Sequence, residues 1–319
     1  MASGERSGGA GVMAAAALAA LLAATGARAA GPAPILIDDK DVFPESVTST
    51  KAGEVIVGSS AKGAVYRAKA GAAKASLWID PKTSGMAAVL GVFADDASHT
   101  LYVCSVAFGA PPEKADSLSA LRTFDLASGA AKTAYPMPDG AKSLCNDIAV
   151  GKDGTAYVSE TSGGRVLRLK AGALEEWVKD PRLGGIDGIA VGGDGALVVN
   201  TVSTGRMFRI PVGADGAAGA IVELTPSQPL AGPDGLRSIG GNRFLQAENR
   251  AGKIELVTVN DDKALVVPMK IDEPSLTAMT VAKGEVWAVN AKFAYRRDPA
   301  FKGKDPNPFT VEPIGKAPQ

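Results

Sequence analysis

The feature of this sequence that most constrains its fold is a repeat of 41 residues. Two segments align without a gap, one starting at Asn146 ("NDIAVGKDGTAYVSETSGGRVLRL") and one at Asp187 ("DGIAVGGDGALVVNTVSTGRMFRI"). Each has an Asp-Gly pair 7 residues after its start, a glycine at 18 and an arginine at 22. A period of this length, filled with short β-rich runs, indicates a chain built from repeated supersecondary units.

The same spacing recurs outside these two copies. It fits the segments that follow Glu45 and Asp234, and the aromatic strands "TLYVCSV" and "GEVWAVN" place two weaker copies. The copy containing "TLYVCSV" carries an insertion, "GAPPEKADSLS". The repeats therefore start near Glu45, Gly91, Asn146, Asp187, Asp234 and Leu276.

Each unit reads as strand, Asp-Gly turn, strand, glycine turn, strand and a further apolar run, which is typical of a propeller blade. The sequence thus predicts an all-β, six-bladed β-propeller. The last blade has no obvious fourth strand directly after "NAKFAYR", so residues 33–38 or residues 309–314 would supply it. The competing architecture is a pair of β-sandwiches.

The first residues differ from the rest. Arg6 precedes the apolar run "VMAAAALAALLAAT", and "ARA" at 27–29 has the small-x-small pattern of a cleavage site. The run is shorter than the roughly 20 apolar residues of a spanning helix. We therefore expect a secretory signal peptide at 1–29, a propeller domain at 30–319, a periplasmic or secreted protein, and no membrane span after cleavage. An uncleaved anchor is the alternative.

Charge and the rare residues exclude several functions. Lys and Arg number 34, as do Asp and Glu, so no basic surplus favours a nucleic-acid partner. Cys104 and Cys145 would form either a disulfide or two buried thiols. The sole histidine, His99, lies in a predicted turn, which argues against a Ser-His-Asp triad.

Four of the six repeat starts carry oxygen-bearing side chains: Glu45, Asn146, Asp187 and Asp234. Equivalent positions of a propeller surround its axis, so three carboxylates would face one point, which is unfavourable unless a cation intervenes. Ligands that offer only oxygen favour Ca²⁺, with Mg²⁺ or Mn²⁺ as alternatives. Asp before Gly is also common in turns, so "IDG" and "PDG" alone are equally consistent with turn residues.

The motifs "FPES", "CNDIAV", "IDGIAV" and "GPDGL" resemble the blade-opening motifs of the regucalcin/gluconolactonase family of six-bladed propellers, over residues 40–295. The resemblance implies metal ligation by Glu45, Asn146 and Asp234, together with Asp187, where the family usually has Asn. Sugar lactonases of this type have an arginine at the position of Leu144, so the resemblance favours a less polar substrate than a sugar lactone.

These observations predict a metal-dependent hydrolase of a small lactone or ester, with Asp234 as the catalytic base. Strand-end residues are expected to line the mouth of the channel, namely Glu160, Asn200, Arg237 and Glu248. A non-catalytic periplasmic metal-binding propeller that binds a ligand or a protein is the rival hypothesis. An isomerase or lyase that uses the same metal is a third.

Overall fold

A computed structural model describes residues 31–108, 110–271 and 275–319, together with Met1 and Gly4. The other residues of the predicted signal peptide, and its cleavage site, lie outside the described residues. Residues Pro32–Gln319 form one compact unit.

This unit is built almost entirely from short strands. The first twelve, in chain order, are β1 (Ile35–Ile37), β2 (Pro44–Ser49), β3 (Val55–Ser59), β4 (Val65–Ala68), β5 (Lys74–Ile79), β6 (Ala88–Asp95), β7 (Thr100–Val106), β8 (Ala120–Asp125), β9 (Ala131–Pro136), β10 (Cys145–Val150), β11 (Ala156–Glu160) and β12 (Arg165–Lys170). The next twelve are β13 (Ala173–Lys179), β14 (Ile186–Val191), β15 (Leu197–Thr201), β16 (Arg206–Ile210), β17 (Val222–Pro226), β18 (Pro233–Gly240), β19 (Arg243–Glu248), β20 (Lys253–Asn260), β21 (Lys263–Lys270), β22 (Leu276–Ala282), β23 (Glu285–Asn290) and β24 (Thr310–Lys316).

Within the described ranges these strands group into four-stranded antiparallel units, each matching one predicted repeat. Five are consecutive: β2–β5, β6–β9, β10–β13, β14–β17 and β18–β21. The first strands pack side by side in the closed order β2, β6, β10, β14, β18, β22 and back to β2. The chain is therefore an all-β propeller, and a pair of sandwiches is excluded because sandwiches do not close such a ring.

The remaining unit joins the two ends of the described chain. Its order is β22, β23, β24 and β1, with β1 antiparallel to β24 and parallel to β5. Two segments were proposed from the sequence for the missing fourth strand of the last blade, and both form strands of that blade. Residues 309–314 contribute to the third strand and residues 33–38 to the fourth, so the N-terminal strand closes the ring.

In the described ranges three short α-helices lie in the connections: α1 (Pro81–Ser84), α2 (Pro112–Leu118) and α3 (Ala294–Arg297). Helix α2 lies in the insertion predicted in the second repeat. Helix α3 lies at the end of "NAKFAYR", the segment after which the sequence showed no obvious fourth strand. Because β24 supplies the third strand there, this segment is free to fold as a turn of helix beside the channel.

The blades pack through alternating apolar residues, so that the core forms clusters between neighbouring sheets. A disulfide joins Cys104 of β7 to Cys145 of β10, where the sequence had left two free thiols as an alternative. It links the second blade to the third directly beside Asn146. In the described part of the chain, no helix combines the length and apolar character needed to cross a membrane.

Candidate functional site

The structure brings together the four side chains predicted as metal ligands. Glu45, Asn146, Asp187 and Asp234 are each the second residue of a first strand, in β2, β10, β14 and β18. All four line the same pocket of about 700 Å³. They are only 6–8% exposed. We call these four residues the oxygen ring.

A local irregularity in each of these strands turns the side chains toward the axis. The pairing of the first strand with the second shifts register at the oxygen ring in all four blades. The shifts fall between Pro44 and Ser46, between Cys145 and Ile148, between Ile186 and Ile189, and between Pro233 and Leu236. A β-bulge leaves a residue outside the ladder and re-aims its side chain, and such bulges are frequent beside functional sites.

The glycines of "IDG" and "PDG" serve close packing rather than a turn. A Cβ on Gly188 would lie 2.4 Å from the Asp234 carbonyl oxygen, and one on Gly235 would lie 2.7 Å from the Thr277 carbonyl oxygen. Neither glycine has a positive φ. Only glycine permits this approach of neighbouring first strands, so the interpretation of these motifs as turns is wrong.

Hydrogen bonds fix the orientation of the oxygen ring. The Asn146 Nδ2 donates to Thr161 Oγ1 at 2.9 Å and to Asp187 Oδ2 at 3.0 Å. Since both bonds use its nitrogen, the amide oxygen of Asn146 keeps its lone pairs for another partner. Asp234 accepts from the Gly235 backbone N–H at 3.0 Å and from Asn249 Nδ2 at 3.2 Å.

Burial and neighbouring carboxyl groups raise the pKa of all three acidic residues of the oxygen ring. Burial, followed by the charges of Asp187 and Asp147, holds the pKa of Glu45 well above its ordinary value. Burial, followed by Asp187 and Glu45, does the same for the pKa of Asp234. The pKa of Asp187 is raised to about 7, first by burial and then by Asp147. Without a cation the three groups cannot all be ionised at neutral pH.

This donor set fits a hard divalent cation. It offers three carboxylates and one amide oxygen in a buried position, and a positive ion would offset the repulsion that raises these pKa values. Among the described residues, however, no group of three or more His, Cys, Asp or Glu side chains already has the arrangement of a metal site. Asp187 is instead bonded to the Asn146 amide, and a bound cation would have to replace that bond.

A buried ion pair, which the sequence did not reveal, closes the channel beneath the oxygen ring. Arg237 Nη1 lies 2.7 Å from Asp147 Oδ2 and 2.9 Å from Asp147 Oδ1. Its Nη2 reaches Ser46 Oγ and the Val92 carbonyl, both at 3.3 Å. This floor pair (Asp147 and Arg237) therefore connects the blades that contain β2, β6, β10 and β18, and it separates the pocket from the opposite end of the channel.

The other residues expected at the mouth have structural roles. Glu160 accepts from the Leu144 N–H and pairs with Arg165 Nε at 2.8 Å. Asn200 donates to the Asp234 carbonyl at 2.7 Å. Glu160, Asn200 and Glu248 are fully buried and do not line the pocket, so their placement at the mouth was wrong. They stand at strand ends, as predicted, but their side chains bond to buried groups: Glu160 within its own blade, and Asn200 across to the next blade.

The walls of the pocket are formed by residues that do not occupy the repeat-start positions. Arg250, Arg296 and Arg297 lie on one side, and Leu90, Phe108 and Leu144 line it from other blades. Of these six, only Leu144 was singled out from the sequence, as the position where sugar lactonases of the resembled family have an arginine. The others lie in β6, in loops and in helix α3, at positions that the repeat does not relate to one another.

Comparison with known proteins establishes the fold. No family model matches this sequence, and no curated protein matches it. A gluconolactonase from Xanthomonas campestris is 15% identical, with a TM-score of 0.60, covering 86% of this chain and 87% of that chain. Regucalcin from Agrobacterium tumefaciens, described as a calcium-binding protein, is 14% identical, with a TM-score of 0.61, covering 89% and 95%.

Another similar structure has a different activity. Virginiamycin B lyase from Staphylococcus aureus is 16% identical, with a TM-score of 0.56, covering 81% of this chain and 95% of that chain. The resemblance to regucalcin and gluconolactonase propellers is therefore confirmed at the level of the fold. Because the same fold supports hydrolysis and elimination, function has to be argued from the site.

Proposed function

We propose that this propeller is a metal-dependent hydrolase of a small lactone or ester. The observation that carries the proposal is the oxygen ring, in which four buried oxygen-bearing side chains from four blades meet at the base of a pocket of about 700 Å³. The fold that it shares with a gluconolactonase and a regucalcin supports the same conclusion. Glu45, Asn146, Asp187 and Asp234 would hold one divalent cation, Ca²⁺ being preferred over Mg²⁺ or Mn²⁺ for an all-oxygen set.

When bound, such an ion would act as a Lewis acid toward the carbonyl oxygen of the substrate. The chain supplies the remaining functions. The bond from Asn146 Nδ2 to Thr161 Oγ1 holds the side chain, so its amide oxygen is left for the ion even when the bond to Asp187 is replaced. The floor pair blocks the channel from below, so water and substrate enter from the pocket side.

Asp234 is our candidate for the general base. The Gly235 N–H binds its Oδ1 and the Asn249 amide binds its Oδ2, so the carboxylate is held in one orientation. Each carboxylate oxygen has a second lone pair with which to accept a proton from an attacking water. Because these bonds and a nearby cation both weaken its basicity, reactive esters suit it better than amides.

Lyase chemistry through a histidine is disfavoured in this chain. Virginiamycin B lyase from Staphylococcus aureus is catalytically inactive when one of its histidines is replaced by alanine. The sole histidine here, His99, is exposed in the turn between β6 and β7 and does not line the pocket. A non-catalytic metal-binding propeller that binds a ligand or a protein is the alternative hypothesis, and the experiment must distinguish it from a hydrolase.

The test is a hydrolysis screen of the purified protein against lactones and aryl esters. Each substrate is assayed after EDTA treatment and again after Ca²⁺, Mg²⁺ or Mn²⁺ is restored. The proposal expects turnover that disappears with the chelator and returns with metal. Absence of turnover on every substrate in metal-saturated protein would favour the binding module.

We also propose that the protein is exported to the periplasm or beyond. The apolar segment and the "ARA" motif at 27–29 support this, as does the Cys104–Cys145 disulfide, which persists in oxidising compartments. N-terminal sequencing of the native protein should begin at Ala30. A native chain that still begins at Met1 would overturn the proposal.

A further inference from the structure

Three arginines border the pocket without carboxylate partners. Arg250 follows β19, and Arg296 and Arg297 end helix α3. All three are exposed and line the same pocket as the oxygen ring. Among the described residues, no Asp or Glu side chain forms a salt bridge with any of them, whereas Arg165, Arg168, Arg182, Arg206, Arg209 and Arg237 are all paired. We call Arg250, Arg296 and Arg297 the arginine rim.

These guanidinium groups are oriented by carbonyl and aromatic contacts rather than by salt bridges, although the charge of Arg297 acts on Glu45 of the oxygen ring. Arg250 Nη2 donates to the Val202 carbonyl at 2.6 Å. The Arg296 guanidinium lies 5.3 Å from the centre of the Phe43 ring, and that of Arg297 lies 4.5 Å from the centre of the Phe293 ring. Carbonyl and aromatic contacts position a guanidinium while its other N–H groups stay available for an anion.

Another part of the pocket is apolar. Leu90 of β6, Phe108 just after β7 and Leu144 just before β10 line it from the second and third blades. We call these residues the apolar wall. Phe108 is 48% exposed, so its ring is accessible from the pocket that it lines. The arginine rim belongs to the fifth and sixth blades, so the first strands that separate these blade pairs place the two features on opposite sides of the ring.

We propose that the pocket binds an amphipathic ester or lactone that carries an oxyanion group, a carboxylate or a phosphate. The oxyanion lies on the arginine rim and the apolar portion lies on the apolar wall. The bond to be cleaved lies between them, above the oxygen ring. Guanidinium groups bind carboxylate and phosphate oxygens through paired N–H bonds, which explains why arginine serves here. The assignment of the cleaved bond rests on the proposed function, whereas the binding of the anion does not.

The charges of the pocket should make anion binding depend on the metal. Any carboxylate of the oxygen ring that is ionised repels an entering anion, and a divalent cation would offset that repulsion. With the cation bound, the arginine rim exceeds the remaining negative charge and the pocket attracts anions. Anion binding is therefore expected to be stronger in metal-loaded than in metal-free protein, and it should weaken as ionic strength rises.

The binding experiment uses calorimetry on the Ca²⁺-loaded protein with three probes: 4-phenylbutyrate, phenyl phosphate and the neutral 4-phenylbutyramide. Binding of either anion, but not of the amide, supports the proposal, and the stronger anion identifies the preferred oxyanion. Arg250→Gln, Arg296→Gln and Arg297→Gln should each weaken anion binding about tenfold or more, as expected for a lost charge-assisted hydrogen bond. Arg243→Gln is the matched control, since Arg243 also lacks a carboxylate side-chain partner but starts β19 far from the pocket.

The activity experiment uses 4-nitrophenyl hydrogen glutarate and its methyl ester. A higher kcat/KM for the anionic ester, lost in the three arginine variants mainly through KM, supports the proposal. Equal cleavage of both esters, with the variants unaffected and no anion binding, overturns the inference but leaves the hydrolase intact. Arginine-dependent anion binding without cleavage of any ester keeps the inference and overturns the hydrolase. If the protein neither binds the anions nor cleaves any ester, both the inference and the hydrolase proposal are overturned.

Discussion

Asp234 is held by donors that have different origins in the sequence. One donor is the backbone N–H of Gly235, the next residue in the chain, whereas the other is the Asn249 amide from the turn after β19. Asp234 also lies within hydrogen-bonding reach of Asp187, so its charge is coupled to the rest of the oxygen ring. At the scale of single residues, the proposed role of Asp234 as the general base is the part of the mechanism that a single substitution tests most directly.

Replacement of Asp234 by Asn keeps the shape of the side chain and one oxygen for the metal, but it removes the proton acceptor. General bases typically contribute about 10²–10⁴-fold in rate. We expect hydrolysis by Asp234→Asn to fall by that amount at saturating metal, with binding of metal checked by calorimetry. Asn146→Ala is the comparison variant, because its loss should be partly rescued by added metal. Full activity in Asp234→Asn would rule out this residue as the base.

A second group of buried titratable residues lies between the strands of the fifth blade. Glu248 and Glu255 are both fully buried, and no hydrogen-bond partner was found for Glu248 Oε2 in the described structure. Burial, followed by the charge of Glu248, raises the pKa of Glu255 to about 7. Lys253 Nζ lies 3.8 Å from Glu248 Oε2 and 3.9 Å from Glu255 Oε1, so one cation faces two carboxyl groups, and a proton on Glu255 removes the repulsion that is left.

The stability that this pair contributes should fall as pH rises. The folded pKa of Glu255 exceeds its ordinary value of 4.5, so the contribution is complete below pH 4.5 and is lost by about pH 7. Glu255→Gln carries a permanent N–H donor and should be more stable than the wild type at pH 8, by about 1–3 kcal/mol, and similar to it at pH 4.5. Urea unfolding at several pH values measures this. Glu223→Gln is the control, because the hydrogen bond from Arg206 lowers the pKa of the exposed Glu223. Its stability relative to the wild type should not change between pH 5 and pH 8. Equal dependence on pH in Glu255→Gln and wild type would contradict the assignment.

At the scale of elements, the bulged first strand explains the site. Each bulge frees one side chain from the ladder and turns it toward the axis, while glycine at the following position in β14 and β18 lets the next blade approach. The metal ligands and the close packing of blades therefore depend on the same short segment. A substitution at one of these glycines should disturb both.

Gly188→Ala tests this dependence. Its new Cβ would lie 2.4 Å from the Asp234 carbonyl oxygen, so β14 and β18 must separate. We expect a destabilisation of about 1–3 kcal/mol, as for other overpacked sites, together with weaker metal binding. Gly184→Ala is the control, because its Cβ would meet no atom closer than 3.4 Å. Unchanged stability and metal affinity in Gly188→Ala would show that the strands are not in close contact there.

The same elements show what the sequence could and could not predict. The oxygen ring was predictable, because its members share one phase of the 41-residue period and a propeller brings equal phases together. Arg296 and Arg297 were not predictable, because the third strand of the last blade is β24, whose pairing with β23 skips the segment that contains them. Asp147 was also missed. It follows Asn146 directly, but its partner Arg237 lies 90 residues away in the chain.

At the scale of the whole molecule, the ring of blades depends on its centre. The first strands contact one another in a closed circle, and the three carboxylates of the oxygen ring repel each other at that centre. A bound cation would convert this repulsion into attraction between blades. Metal binding should therefore stabilise the entire propeller and not only its pocket.

The most direct test of the account is the thermal unfolding of EDTA-stripped protein during titration with Ca²⁺, Mg²⁺ and Mn²⁺, together with calorimetric stoichiometry. The account predicts one ion per chain and a rise in Tm. At a hundredfold excess over Kd the gain is about 2.7 kcal/mol. Asp187→Ala should lose most of the gain, while Asp194→Ala, at an exposed ion pair, should keep it. A Tm that does not respond to any of these ions in wild-type protein shown to be free of metal would contradict the central claim.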